Sequence, residues 1–452
     1  MTAAPISRFS SIVAKNANEE QKAEFVKVIE DTLKGIVENG MDKKALEAGI
    51  NYHEFRYREA DFGGYPKGLM YGLQIFDSWL YDETKPFIHV EALGTFAFLK
   101  EQISTGYFEK LIQTYLLDNQ HGALVTIVPE PGRTARLDAE LKEKLQAYKE
   151  SLSREEIEKL VTDTKHLQEY QEEPSSQEDL EKIPMLTRED ISREIAPIYN
   201  EEMKIADIPT VFHEIETNGI GYLDLMFDLS DVPEKDLPMV GLLQAVLGII
   251  DTEHYEYGEL FNEINRHTGG IGTSLELYPD VTKVKEKEFR ATFEIKGKAL
   301  YGQIPFAIRM MKEILTASKL DDEKRLKEIL SMTKTRLQDR FLSAGHSAAA
   351  LRAMSYKSPI SKFKDTTNGI EYYQNIREME EHFDEKKEEI ISGLKALSEL
   401  LFRKGNVMIS YTASREGLAV LEEEIGSLKE VLYPEKDARA DASCTVRRRM
   451  RL

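Results

Sequence analysis

Residues 212–229 read FHEIETNGIGYLDLMFDL, and this stretch decides the fold of the second half of the chain. Asn218 and Gly219 favour a tight turn, because both residue types tolerate a positive φ. After the turn, apolar residues alternate with polar ones, as they do in a strand with one buried face; the apolar positions are Leu223, Leu225, Phe227 and Leu229. The pattern predicts a β-hairpin that packs one face on a core.

The hairpin begins a region, residues 201–436, in which strand and helix patterns follow one another. Three more runs alternate as strands do, namely IGTSLELY (271–278), FRATFEIKG (289–297) and NVMISYT (406–412). Helical periodicity covers 236–250, 300–316, 322–342, further segments to about 403, and 415–431. The region predicts the α+β fold class, with an antiparallel-rich sheet and helices packed on one face.

Residues 1–132 have five helical patterns, at 21–40, 43–60, 66–81, 87–103 and 107–117, and only two strand patterns, at 7–14 and 123–128. Two strands can neither bury their faces nor satisfy their edges. We therefore expect the C-terminal part of an α/β domain whose other strands precede Met1. Residues 133–200 predict a helical hairpin linker, with Ser153 and Glu156 as a capping box between two apolar stripes. Such a hairpin is typical of a spacer or hinge.

The charge balance limits the classes of partner. Eighty Asp and Glu against 60 Lys and Arg give a net charge of -20, which repels nucleic acid and anionic lipid and attracts basic peptides. The acidity is also explained by solubility alone. No apolar run reaches the length of a membrane span. One cysteine, Cys444, excludes an internal disulfide and fits a reducing compartment, either the cytoplasm or an organelle matrix. Residues 437–452 predict a disordered basic tail.

Several stretches resemble the pitrilysin and insulinase family of zinc peptidases, and more closely its presequence-protease branch. They are INYHEFRYREADFGGYPKGLMYG (50–72), DSWLYDETKPF (77–87), TGGIGTSLELY (268–278) and GNVMISYTASREGLAVLEEEIGSL (405–428), together with the opening stretch. The resemblance implies two half-enzymes, each of two α/β domains, that are joined by a helical hairpin and enclose unfolded peptides. It implies that 1–132 is the late second domain, 133–200 the hairpin and 201–436 the third, non-catalytic domain.

The family's zinc motif is HxxEH on a helix, in which two histidines hold the metal and a glutamate activates water. Gly241, Gln244 and Ala245 stand at those positions here, in VGLLQAVLGIIDTEHYEY (240–257). Glycine and alanine have no ligand atom, and an amide does not take up a proton near neutral pH. No two of the nine histidines are a helical turn apart. The sequence therefore predicts no metal, no cofactor and no catalytic residue in this chain, with zinc expected in the full-length parent.

The family's third zinc ligand is a glutamate of a later helix. Glu323 and Glu328 lie in such a helix, predicted at 322–342, and one interpretation makes them remnants of that position. Without the two histidines, they are more simply explained as surface charges.

His254, Tyr255 and Tyr257 follow the helix that carries Gly241, Gln244 and Ala245. These three residues are candidates for binding an extended peptide. Packing of a loop explains them equally well. We expect the chain to be the central part of a zinc metalloendopeptidase, supplying hinge and chamber wall and inactive alone. Its expected partners are unfolded peptides, the other domains of the parent, and a second copy in a homodimer, with no nucleic acid and no membrane. The alternative is a stand-alone, non-catalytic peptide-binding or scaffold subunit.

Overall fold

The structure is a computed structural model, and it describes residues 10–15, 17–194, 197–282 and 288–435. Contacts divide the chain into two compact units. One contains Leu33–Leu116 together with the described residues from Tyr199 onward, and the other contains Ser11–Thr32 and Leu117–Ile198. Cys444 and the predicted basic tail at 437–452 lie outside the described residues. Residues 33–116, which precede the sheet in sequence, thus belong to the same unit as the sheet.

A six-stranded sheet organises the first unit. Its strands are β1 Glu201–Ile205, β2 Ile208–Glu214, β3 Ile220–Asp228, β4 Ile271–Pro279, β5 Phe289–Leu300 and β6 Val407–Ala413. They lie in the order β1-β2-β6-β3-β5-β4. Every neighbouring pair is antiparallel except β2 and β6, which are parallel. The antiparallel-rich sheet predicted for 201–436 is confirmed.

The hairpin predicted around Asn218 and Gly219 is wrong. The turn is present, with φ of 55° and 80° at these residues, but β6 lies between the two strands that flank it. A turn dipeptide sets the local chain reversal and does not decide which strands pair. The tight hairpin is instead β1-β2, where Ala206 and Asp207 have the positive φ values that a two-residue turn requires. Sequence periodicity missed β1, because EEMKI is mostly polar.

Helices α1 to α5 come before the sheet in sequence. They are α1 Lys22–Asn39, α2 Lys43–Glu59, α3 Lys67–Trp79, α4 Leu93–Gln102 and α5 Tyr107–Ile112, which continues into a π-helical turn at Gln113–Leu117. All five predicted helices are confirmed, although α4 begins later than predicted. The strands predicted at 7–14 and 123–128 are wrong where described: residues 10–15 and 123–128 form no strand and are exposed. Apolar and polar residues alternate in both segments, but in the described residues neither segment pairs with a neighbouring strand.

The linker contains α6 Arg133–Ser151, α7 Arg154–Glu172 and α8 Gln177–Glu181. The predicted capping box forms: the Glu156 N–H donates to Ser153 Oγ over 3.2 Å, and the Ser153 N–H donates to Glu156 Oε2 over 2.8 Å. The apolar stripes are more exposed than a paired hairpin requires, with Leu141 at 54% and Leu160 at 44%. The two helices, joined by Leu152 and Ser153, share a groove near their connection.

Ten helices of the described chain follow β3. They are α9 Leu237–Val246, α10 Tyr257–His267, α11 Ile304–Thr316, α12 Glu323–Ser343, α13 Gly345–Ser355, α14 Pro359–Asn368, α15 Ile370–Glu381, α16 Phe383–Leu401, α17 Arg415–Glu424 and α18 Gly426–Val431. The hydrophobic core combines these helices, except α13, with one face of the sheet, which includes Leu223, Phe293 and Tyr411. Among the described residues, no helix has the length and apolar character to cross a bilayer.

The opposite face of the sheet is polar. Residues of β3, β4 and β5 that alternate with the core positions point to it. We call it the polar sheet face; across these three strands its residues are Tyr222, Asp224, Met226, Asp228, Ser274, Glu276, Tyr278, Thr292, Glu294, Lys296 and Lys298.

Candidate functional site

Gly241, the residue that the resemblance aligns with the first motif histidine, is buried where α9 contacts α14 and α15. A Cβ atom built on Gly241 would lie 2.5 Å from the carbonyl oxygen of Thr367 and 2.7 Å from Cε2 of Tyr372. Both distances are far below van der Waals contact. The smallest side chain therefore already collides here, and an imidazole does not fit.

Gln244 joins α9 to the sheet. Its Nε2 donates to the carbonyl of Thr273 over 3.3 Å, and Thr273 Oγ1 donates to the Gln244 carbonyl over 2.9 Å. Ala245 follows with no ligand atom. The residues at the motif positions therefore do not fit a zinc ion. Within the described ranges, no group of three or more His, Cys, Asp or Glu side chains is placed to hold a metal.

Glu323 and Glu328, the two glutamates of α12 that could be remnants of a third zinc ligand, each have a cationic partner. Glu323 Oε2 lies 2.8 Å from Nζ of Lys387. Glu328 Oε2 lies 3.0 Å from Nη1 of Arg325, one helical turn away. Such pairing at the surface is the ordinary role of a helical glutamate.

The loop that carries His254, Tyr255 and Tyr257 is fastened to two helices. The backbone N–H of His254 donates to Glu313 Oε1 over 3.1 Å, and its Nδ1 lies 3.0 Å from Glu313 Oε2. Burial raises the pKa of Glu313, but hydrogen bonds from Thr252 and His254 outweigh it and lower the pKa overall.

Tyr255 and Tyr257 differ in exposure. Tyr255 packs against the hydrophobic core, and its carbonyl accepts the Thr252 N–H over 2.8 Å. The Tyr257 ring is 45% exposed and lies under the guanidinium of Arg325, 3.7 Å from ring centroid to Cζ. A cation over an aromatic face holds both groups in place. The loop is therefore held in one conformation, with His254 and Tyr257 accessible from outside.

Sequence patterns missed a buried carboxylate on the polar sheet face. Glu294 is 1% exposed, and its Oε1 accepts from Tyr278 Oη over 2.7 Å and from Thr292 Oγ1 over 2.6 Å. Lys296 Nζ lies 3.1 Å from Glu294 Oε2 and 3.0 Å from Glu276 Oε1. The partners satisfy the buried charge, as burial of a carboxylate requires.

Asp224 lies beside this network on β3. Burial raises its pKa from the ordinary value of 3.8 to about 6, against the opposing effect of Lys296; Glu294 and Glu276 raise it further, and His213 lowers it. The Asp224 carboxyl thus binds its proton more tightly in the folded chain than in the unfolded chain.

We expect Asp224→Asn to stabilise the chain at pH 7. The stabilising effect of the raised pKa is complete below the unfolded value near 3.8 and is lost as pH rises through about 6. Removing the charge should recover about 1–2 kcal/mol at pH 7, discounted for partial exposure. Urea unfolding between pH 4 and 8 measures it, with the exposed Asp163→Asn as control. Equal pH slopes for wild type and Asp224→Asn would contradict the expectation.

The C-terminal end of α2 reaches the polar sheet face. Glu59, at the last position of α2, has its side chain 6% exposed, and both of its carboxylate oxygens accept from Lys298 Nζ, over 2.8 and 2.7 Å. Tyr222 Oη donates to the same carboxylate over 3.1 Å. Burial and the nearby Glu59 raise the pKa of Tyr222.

Toward the N-terminus of α2, the helix makes first an apolar contact and then polar and charged contacts. The Phe55 ring lies so close to Gly269 that a Cβ there would be 2.1 Å from Cε1 of Phe55. Asn51 Nδ2 donates to the Arg266 carbonyl over 2.9 Å, and Arg266 Nε lies 2.7 Å from Glu47 Oε2. Helix α2 is thus bound to α10 and to the sheet along most of its length.

One signal could have revealed the polar sheet face. In YLDLMFDL and FRATFEIKGK, most of the residues between the core positions are acidic or basic, namely Asp224, Asp228, Arg290, Glu294, Lys296 and Lys298. Two such strands paired side by side bring these charges together. The pairing itself could not be known from either stretch alone.

The model of a family described as associated with subfamily C of the M16 peptidases matches residues 127–379. The chain is 38% identical over 415 residues to "Protein HypA" of Clostridium perfringens, covering 92% of this chain and 42% of that protein. It is 28% identical over 422 residues to "Presequence protease 1, chloroplastic/mitochondrial" of Arabidopsis thaliana, covering 92% and 39%. The chain thus spans about two fifths of the length of these curated relatives.

A solved structure from Pseudomonas fluorescens, described as a peptidase M16 inactive domain, overlaps in part. The TM-score is 0.36 at 14% identity, covering 52% of this chain and 50% of that one.

Proposed function

Because the chain belongs to the family associated with subfamily C of the M16 peptidases, we propose that it is a non-catalytic part of a zinc metalloendopeptidase that degrades unfolded peptides in a closed chamber. In this proposal the chain supplies the hinge and a wall of the chamber and is inactive alone. The zinc site belongs to other domains of the parent. The Arabidopsis relative, which is named a presequence protease, is similar to this chain over 39% of its length, and this supports the proposal.

The observation that carries the proposal is the packing of α9. A Cβ atom on Gly241 would collide with the Thr367 carbonyl and the Tyr372 ring, and Gln244 is hydrogen-bonded to Thr273. A helix that must present two imidazoles and a carboxylate to a metal cannot be packed so closely at these positions. The space of a metal site has been replaced by helix packing, which supports a structural role.

The net charge of the chain supports the proposal that it forms a wall of the chamber. With a net charge of -20, the chain attracts basic, extended peptides by its field. The exposed side chains of His254 and Tyr257 would contact such a peptide, and the half-buried Tyr255 would support their loop. The helices α6 and α7 would act as the hinge. We place the parent in the cytoplasm, or in an organelle matrix in a eukaryote.

The purified chain should leave a quenched fluorescent, unfolded, basic peptide uncut and should contain no stoichiometric zinc by elemental analysis. It should still bind the peptide, with an affinity that falls as salt is raised, because the attraction is electrostatic. Fluorescence anisotropy of a labelled copy of the peptide measures the binding. An acidic peptide of equal length is the control, and its binding should be weaker.

Chelator-sensitive cleavage that stays with the chain through successive columns would overturn the inactive assignment. Equal binding of the acidic and basic peptides would contradict the role of the negative field in forming the wall.

A further inference from the structure

A cavity of about 450 Å³ lies beside Gln244, between β4 and helices α12, α13 and α14. Its walls are largely apolar and include Leu275, Leu277, Phe341, Leu351 and Phe363. Leu275 and Leu277 lie on the opposite side of β4 from Glu276, because successive strand residues alternate between faces. The cavity is therefore separate from the polar sheet face.

Cations without acidic partners lie at this cavity. Arg340 and Lys364 line it, and Arg336 lies one helical turn before Arg340 on α12. None of the three forms an ion pair with a carboxylate in the part of the chain that the structure describes. Burial and the nearby Arg336 lower the pKa of Arg340. Three cations thus lie close together in a chain whose net charge is -20.

The guanidinium of Arg340 is held in place. Its Nη1 donates to Asn368 Oδ1 over 3.0 Å, and its Nη2 donates to the Asn368 carbonyl. A guanidinium has five N–H donors, so these two bonds leave others for a ligand. A guanidinium fixed beside apolar walls favours an anion that has an apolar body, since a fully hydrated anion would lose its water against such walls.

We propose that this cavity binds the C-terminal end of a peptide whose last side chain is apolar. The side chain fills the apolar walls, and the terminal carboxylate meets Arg340 and Lys364. The carboxamide of Gln244, with one N–H bonded to Thr273, offers its second N–H and its oxygen to the terminal peptide group. A fatty acid would leave that amide unmatched. The inference rests on the proposed function only in taking a peptide as the ligand.

The test uses an N-terminally labelled, unstructured peptide that ends in Phe, measured by anisotropy against the full chain in the presence of a chelator. Removal of the terminal charge by amidation should weaken binding by about tenfold, the effect of losing one charge-assisted contact. Replacement of the last Phe by Ser should weaken it similarly. Lys364→Gln should weaken binding of the free acid and leave binding of the amide unchanged, because only the acid has the terminal charge. Lys364 is exposed, so its loss leaves the fold intact.

Lys319→Gln removes the same charge outside the cavity lining and should change neither affinity. Ala348→Leu, which fills the cavity, should weaken both peptides, with circular dichroism confirming that the variant is folded. Equal affinities for acid and amide, or no effect of Lys364→Gln, would overturn the proposal. Binding of dodecanoate with no binding of the peptides would overturn it too. Chelator-sensitive cleavage would contradict only the proposed function. It would not affect the test of the cavity, because the affinities are measured with chelator present.

Discussion

Replacement of Lys298 by Met should destabilise the first unit by about 3 kcal/mol, because it leaves a buried carboxylate without its cation. The Glu59 side chain is 6% exposed and Lys298 is 32% exposed, so water can compensate the lysine far better than the glutamate. The Tyr222 hydroxyl, which donates to Glu59 over 3.1 Å, would remain as a neutral donor and cannot replace the lost charge. Urea unfolding measures the loss, and hydrogen exchange of α2 locates it.

The side chains of Glu59 and Lys298 differ in exposure, and this difference gives a second expectation. Glu59→Gln leaves the more exposed Lys298 unpaired and should cost less, about 1–2 kcal/mol. Lys395→Met is the matched control, because its pair with Asp321 is 48% and 61% exposed and should contribute under about 1 kcal/mol. If Lys298→Met and Lys395→Met had equal effects, the contact between α2 and the sheet would not depend on the buried pair.

Periodicity predicted most helices and strands correctly, because the spacing of apolar residues along the sequence reflects which face of an element is buried. It could not predict which strands pair. The run NVMISYT reads as a strand wherever it is placed, yet in the sheet it lies between β2 and β3 and separates the two arms of the predicted hairpin. Pairing between strands about 200 residues apart depends on the whole core, which no local pattern contains.

The candidate site was predicted in part. The absence of ligand atoms at Gly241 and Ala245 is a matter of residue identity, and sequence suffices for it. The residues that leave no room for a side chain at Gly241, namely Thr367 and Tyr372, come from α14 and α15, and identifying them requires coordinates. The ion pair of Glu59 and Lys298 joins residues 239 positions apart. Neither residue is unusual in its own helix or strand, so no local pattern indicates that they pair.

Gly241→Ala should destabilise the chain by about 2 kcal/mol, although alanine is the better helix former. Replacing a mid-helix glycine by alanine normally gains about 0.5–1 kcal/mol. Overpacking of a filled core costs about 1–3 kcal/mol. We expect a cost near the upper end of this range, because one of the obstacles is a backbone carbonyl. Urea unfolding measures the net effect. Gly258→Ala in α10 is the control, since nothing lies within 4 Å of its Cβ position, and it should be neutral or stabilising.

The two obstacles at Gly241 can be separated. Tyr372 is a side chain, so Gly241→Ala combined with Tyr372→Leu removes one of the two contacts, at 2.7 Å. The Thr367 carbonyl, at 2.5 Å, belongs to the backbone of α14 and remains. If the carbonyl dominates, Gly241→Ala costs as much with Tyr372→Leu as without it, and the double-variant cycle shows no coupling. A Gly241→Ala chain as stable as wild type would mean that α9 has room for a side chain, which would remove the packing argument against a metal site.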